Sequence, residues 1–347
     1  MAFTAQELLT DPGLFLLEFD ETSAHILQMT RDNFHRSIFL DGRIRHKAQG
    51  AMRVPLDQLV QLVGNATFDT NHGRAATGWI FHVAQCGSTL LARALDQIGR
   101  SLVLREPAAL RRIGVRAGQP GGLGDDDKAL LRAIAFMLSK RWDRETPVIV
   151  KANVPVNLIA DELMRMRPDA PAITLHFPLI NYVAAILRTP GHVDWTDRVS
   201  QELRLAGNPI CEGNNPQCAA EFAAALWFVQ IKAFEQVLSY PNTASLEASR
   251  LFDDPVPVLV AAAKLFGVEL SESEAVSLVS GELFHSYSKN PALDYDPEVR
   301  IAREAEAIDR LAPEIARARA WVERAADRFG LPDSLSKPLT GGAAPLL

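Results

Sequence analysis

The rhythm of hydrophobic and polar positions changes near residue 78. Beyond that point, short apolar runs bounded by loop residues alternate with stretches whose apolar positions recur at helical spacing. Trp79-Ile80-Phe81-His82-Val83 is the first run, the pattern of a central parallel strand buried on both faces. Leu90, Leu91, Ala94, Leu95 and Ile98 then follow helical spacing, and Gly99 predicts the helix stop. Leu102-Val103-Leu104, Val148-Ile149-Val150 and Ile173-Thr174-Leu175-His176-Phe177 predict three further strands. Helices are expected over KALLRAIAFMLSKRW, from about Asn157 to Arg167, and after Pro178. This alternation predicts an α/β, three-layer fold: a central, mainly parallel sheet with helices on both faces. The second half reads mainly helical, through EFAAALWFVQIKAFEQVL, VPVLVAAAKLFG and a long stretch from about Pro297 to Phe329. SLE at Ser245 predicts one more strand.

The first 75 residues read differently. LFLLEF and SIFLDGRIRH hold short apolar or alternating stretches, VPLDQLVQLVG is a short amphipathic helix, and TFDTNHGRAATG is a polar connector. This preamble is short for an independent core, so it is expected as a small layer attached to the main domain. GVRAGQPGGLGDDD predicts a surface loop, and Trp227-Phe228 a core position on an apolar helix. The expected organisation is one domain. Residues 1–75 are an N-terminal appendage, 76–330 a core with a helical C-terminal half, and 331–347 a flexible tail ending in KPLTGGAAPLL.

Composition narrows the function classes. The chain has 347 residues, 48% hydrophobic and 22% charged, as in ordinary globular proteins. No run approaches the roughly 20 apolar residues of a membrane span. The N-terminus lacks the basic-then-apolar pattern of a secretory signal. Cys86, Cys211 and Cys218 form neither a disulfide framework nor a metal-ligand spacing, so ordinary thiols, no metal and a cytoplasmic location are expected. Net charge is −6, from 42 acidic and 36 basic side chains, with the basic residues interspersed among acids. That argues against nucleic-acid binding and leaves room for a small anion, which needs only a few placed donors. Nothing in the pattern decides the oligomeric state.

The candidate chemistry starts where the first strand runs into the first helix. A loop entering a helix at the carboxyl end of a parallel strand presents unpaired N–H groups and the positive end of the helix dipole. Together these bind a phosphate or sulfate. Gly87 allows close backbone approach, while Ser88 and Thr89 add hydroxyls at the first turn. Against the G-x-x-x-x-G-K-[ST] pattern, Gly87 and Thr89 match, but His82 stands at the first glycine and Ser88 at the lysine. A conventional nucleotide triphosphatase is therefore disfavoured. The residues alone also allow a plain helix cap by Ser88 or Thr89.

From here the chain resembles the sulfotransferase family, whose P-loop-like fold binds 3′-phosphoadenosine 5′-phosphosulfate. QCGSTLL resembles the family's 5′-phosphosulfate loop, K/R-S-G-T-T-x-L. REPAALRRI is similar to its E-P segment, whose glutamate is the catalytic base, and VIVKANVPVNL to its strand-then-lysine segment. PDAPAITLHFPLINYVAAIL, SLEASRLFDDPVPVLVAAAKLFGVEL and HSYSKN parallel three later family segments, so the likeness runs over roughly residues 78 to 290 in the family's order. The resemblance implies transfer of a sulfuryl group from that nucleotide co-substrate to a hydroxyl or amine of a small-molecule or peptide acceptor. Such chemistry needs fixed donors, a cation and a base, but no metal. It assigns Glu106 as the base and Lys151 as the charge-neutralising residue. Gln85, Cys86, Gly87, Ser88, Thr89 and Leu90 fall in the 5′ loop, with His176, Arg188 and Lys289 as further nucleotide contacts.

Two positions depart from the family pattern. Gln85 stands where the loop carries Lys or Arg, and His176 and Ala184 stand where an arginine and a serine hold the 3′-phosphate. Arg188, one turn beyond Ala184, is the cation expected to compensate. Other readings stay open on the residues alone. Glu106 also fits a pair with Arg105 or Arg111, Lys151 a solvated strand end, and His82 a hydrogen-bonded core histidine. The alternatives in function are a divergent P-loop kinase or nucleotide-dependent transferase, and a non-catalytic nucleotide-binding module.

Overall fold

The apolar runs form one sheet because each is too short and too β-branched to bury itself any other way. The computed structural model describes residues 3–66, 76–287, 290–294 and 297–347. The N-terminal segment contributes β1 (Leu14–Phe19), β2 (Ser23–Gln28) and β3 (Gly50–Pro55), paired antiparallel in that order. The central sheet contains β4 (Gly78–His82), β5 (Leu102–Arg105), β6 (Val148–Lys151), β7 (Ala172–His176) and β8 (Thr243–Glu247). Its spatial order is β5-β6-β4-β7-β8, and every pairing is parallel. All residues of β4, β5, β6 and β7 are buried, so side chains on both faces of the sheet are covered. The α/β class and the parallel sheet stand as expected, and SLE lies in β8.

The connections place the site. From β4 the chain crosses to β5 and β6 on one side, then to β7 and β8 on the other. The crevice of such a sheet opens at the carboxyl ends of the strands where the direction reverses, which is at β4. Gly78 begins that strand because a Cβ there would lie 2.5 Å from the Phe266 ring.

Several expectations are corrected. The helix after the loop is Ser88–Ala94, and Ile98 lies beyond it, 82% exposed. The expected glycine-rich loop is confined to residues 118–124, because the helix Ala108–Ala117 runs through Gly114, whose missing Cβ lets it lie against the backbone of Pro155 and Val156. Asp125 then opens the next helix. The stretch to Phe329 is two helices, Pro297–Arg310 and Ala312–Phe329. Trp227 is buried and donates its indole N–H to the Phe177 carbonyl at 2.9 Å, a core role.

Residues 331–347, expected as a flexible tail, are instead laid along β8. Ser245 donates to Lys337 O at 2.8 Å, Leu339 N–H to Ser245 O at 2.7 Å, and Leu179 N–H to Leu346 O at 2.9 Å. Leu335 and Leu346 are buried. The apolar residues of a glycine- and proline-rich segment found a sheet edge to cover, which composition does not reveal. All three cysteines are free thiols. Among the described residues, no helix is long and apolar enough to cross a membrane.

Candidate functional site

A cavity of about 370 Å³ opens at the carboxyl ends of β4, β5 and β6. Its floor is the loop after β4. Gln85 and Gly87 adopt left-handed backbone, at φ 62° and 79°. A Cβ on Gly87 would lie 2.6 Å from the Phe252 ring, so both conformation and space demand glycine. Gly87 is the N-cap of the Ser88–Ala94 helix, with no side-chain cap hydrogen bond. Ser88 and Thr89 therefore do not cap it, and the plain-cap reading falls. Thr89 Oγ1 is buried without a hydrogen-bond partner among the described residues. Cys86 lies beneath the loop, donating its thiol to Val83 O at 2.9 Å. Gln85 to Leu90 all line the cavity.

The wall beside the loop comes from two neighbouring strand ends. The β5–β6 register sets Arg105 opposite Lys151, and the next N–H, of Glu106, donates to Lys151 O at 2.8 Å. Glu106 there turns left-handed, at φ 56°, which swings its side chain out of the strand direction. Lys151 Nζ donates to Glu106 Oε1, an ion pair whose lysine is 1% exposed and whose glutamate is 25% exposed. The other partners weighed for Glu106 are engaged elsewhere. Arg105 pairs with Asp96 at 2.6 Å and Arg111 with Glu202 at 2.5 Å. Lys151 is accordingly a buried cation, not a solvated strand end.

His82, at the end of β4, is 5% exposed, and its ring lies between two backbone carbonyls, Val83 O at 2.8 Å and Ala152 O at 2.7 Å. Burial, and secondarily the Lys151 charge, push its pKa down to about 3. The two observations pull against each other, since two acceptors favour the doubly protonated ring. Burial and the lysine charge outweigh the two acceptors, which favours the neutral ring.

The remaining sequence candidates divide. Arg188 lines the cavity at the end of the Leu179–Leu187 helix, and Ala184 lies one turn before it. Arg188 has no carboxylate partner among the described residues. His176 is corrected: it is 3% exposed, burial lowers its pKa to about 4, and it does not line the cavity. The chain turns after β7 so that Phe177 faces the cavity instead. Lys289 lies outside the described residues. Its neighbour Ser286 does line the cavity, with Oγ buried and partnerless among the described residues.

Some lining residues carried no sequence signal. Phe39 comes from the N-terminal segment and stacks beneath Lys151 Nζ, 5.8 Å from the ring centre. Arg300, on the Pro297–Arg310 helix, lies over Phe252 at 4.7 Å and pairs with Asp253 at 2.9 Å and Glu304 at 3.0 Å. Asn181 reaches Glu304 at 2.9 Å. Asn181 lies in the PDAPAITLHFPLINYVAAIL segment, whereas Phe39 and Arg300 belong to no local motif and arrive from distant segments. The cavity can therefore hold an anion against uncapped N–H groups, two hydroxyls without partners among the described residues and a guanidinium, beside a carboxylate–ammonium pair.

No family model matches this chain, and no curated protein matches it. Two solved structures are similar in fold. One is a sulfotransferase from Alicyclobacillus acidocaldarius, at 18% identity and a TM-score of 0.39, covering 72% of this chain and 96% of that one. The other is the sulfotransferase domain from the curacin biosynthetic pathway, at 11% identity and a TM-score of 0.37, covering 72% of this chain and 98% of that one.

Proposed function

We propose that this cavity is a sulfuryl-transfer site, taking 3′-phosphoadenosine 5′-phosphosulfate as donor and a hydroxyl- or amine-bearing molecule as acceptor. The observation that carries the reading is the Glu106–Lys151 pair, set at the strand ends beside the uncapped loop helix. The donor supplies the activated sulfuryl group and a phosphate leaving group. Thr89 Oγ1, Ser286 Oγ and the loop N–H groups suit its oxygens, because buried hydroxyls without partners gain most from a charged acceptor.

The acceptor oxygen or nitrogen bonds to sulfur while the bond from sulfur to the bridging phosphate oxygen breaks. Glu106 takes the acceptor's proton. Lys151 donates to Glu106 Oε1, and a carboxylate carries lone pairs on two oxygens, so this bond does not by itself prevent proton uptake. As negative charge builds on the leaving oxygen, the Lys151 ammonium neutralises it from a site almost closed to water. The 3′-phosphate has weaker support. Ala184 offers no donor and His176 lies off the cavity, leaving Arg188 and Ser286. Each lost charge-assisted contact costs about 1.5–3 kcal/mol, which favours modest nucleotide affinity.

Thermal unfolding with 3′,5′-adenosine bisphosphate tests the reading, since a ligand of the native state raises apparent stability. A rise with the bisphosphate is expected and none with magnesium ATP; the reverse result favours a kinase and ends this proposal. Transfer of labelled sulfuryl by Glu106→Gln is expected to drop about 10²–10⁴-fold while the bisphosphate shift survives. Gln85 favours one second reading, a nucleotide-binding module without turnover: binding intact but no transfer to any phenol, alcohol or amine acceptor supports it.

A further inference from the structure

His82 stands three residues before Gln85, the loop position that carries no charge, and lines the same cavity. Its two ring nitrogens face oxygens that only accept hydrogen bonds, Val83 O at 2.8 Å and Ala152 O at 2.7 Å. A neutral imidazole has a single N–H. One contact then sets a nitrogen lone pair against a carbonyl oxygen at hydrogen-bond distance, and only the imidazolium satisfies both. The ring's own carbonyl is held by the Asn157 amide at 3.0 Å, and Asn157 is braced by Gln230 at 2.8 Å, so the strand end cannot easily turn the ring away.

The charged groups around the ring decide its state. Lys151, on the adjacent strand β6, opposes a second positive charge, and Glu106, at the end of β5, favours one. Cys86 shares the Val83 carbonyl as a thiol donor. His176 and Tyr182 are buried and neutral on the β7 side. The carbonyl bracket is thus a preorganised imidazolium seat held empty of charge mainly by burial and one lysine. An anion at the loop adds negative charge and competes for that lysine, removing the opposition.

We infer that anion binding at the loop is coupled to proton uptake by His82, whose imidazolium then supplies the positive charge that Gln85 lacks. This rests on the loop being an anion site, as in the reading above. His82 is a positioning and charge-balancing residue here, acting on the bound anion through the field of the cavity.

Calorimetric titration with inorganic sulfate at about pH 7, in two buffers of different protonation enthalpy, tests it. Sulfate carries no proton of its own near neutrality, so any uptake belongs to the protein. Proton uptake that grows as the pH is lowered from 7 is expected for the wild type and almost none for His82→Gln, whose amide donates to one carbonyl without charge. Sulfate affinity is also expected to weaken by about tenfold per pH unit across the uptake range, and to lose that slope in the variant. Binding without uptake, or uptake that persists in His82→Gln, overturns the inference and leaves the proposed function standing. No binding of either sulfate or the adenosine bisphosphate overturns both. Should the variant not fold, ¹⁵N shifts of His82 in the wild type decide. Both ring nitrogens are expected to become protonated in sulfate, and one remaining unprotonated refutes the coupling.

Discussion

Two non-glycine residues at this cavity, Gln85 and Glu106, hold left-handed backbone, each at a cost of about 1 kcal/mol or more. Such strain persists only where surrounding bonds fix it. For Glu106 these are its N–H to Lys151 O and the embrace of Leu40, which donates to Arg105 O at 2.7 Å and accepts from Ala108 at 3.1 Å. Gly87 shares the geometry without that cost. Gly87→Ala is expected to lose the sulfate- and nucleotide-induced rise in melting temperature, and adding Phe252→Leu should not restore it. Relief of the ring contact leaves φ at 79°, so rescue would show that sterics alone set the glycine. Gln85→Lys returns a cation to the loop and should tighten sulfate binding by about ten- to a hundredfold in the same titration. His176 sets a pH limit. It protonates near 6.5 unfolded but only near 4 when folded, so stability is fully present above 6.5 and is lost as pH falls toward 4. Urea unfolding should show a loss of at most about 2 kcal/mol from this residue between about pH 6.5 and 5, and His176→Asn should flatten that slope.

At the scale of elements, the strand ends do the assembling. The register of β5 against β6 makes neighbours of residues 45 positions apart, and no feature of either segment alone encodes that. The N-terminal layer then fastens the site from outside. Arg105, 2% exposed, pairs with Asp96 at 2.6 Å and donates to the carbonyls of Phe34, His35 and Ser37. It ties the segment bearing Phe39 to the strand bearing Glu106. Asp96→Ala strands that guanidinium in the interior, and a loss of about 3–5 kcal/mol in urea unfolding is expected. The strand–loop–helix around Gly87 was legible because one run of residues contains every part of it. The cavity wall was not, since Phe39 and Arg300 come from segments with no motif and meet the loop only after folding.

Across the whole molecule, β8 ends the sheet, and the last residues of the chain close that edge. Truncation after Gly330 uncovers unpaired strand groups and the sites of Leu335 and Leu346, so a lower melting temperature and faster aggregation are expected on heating. Unchanged melting would mean that the tail lies there without holding the edge. Lys140 does the matching work at the N-terminal layer, donating to Leu8 O at 3.0 Å and Leu14 O at 2.6 Å. The sequence by itself determined the strands, the parallel class and the loop, because apolar runs and a glycine turn act over a few neighbouring residues. Only the tertiary structure decided that Glu106 and Lys151 form one pair, that two carbonyls bracket His82, that His176 leaves the cavity and that the tail is docked. Those outcomes depend on strand register and on packing between distant segments, and neither leaves a mark on local residue order.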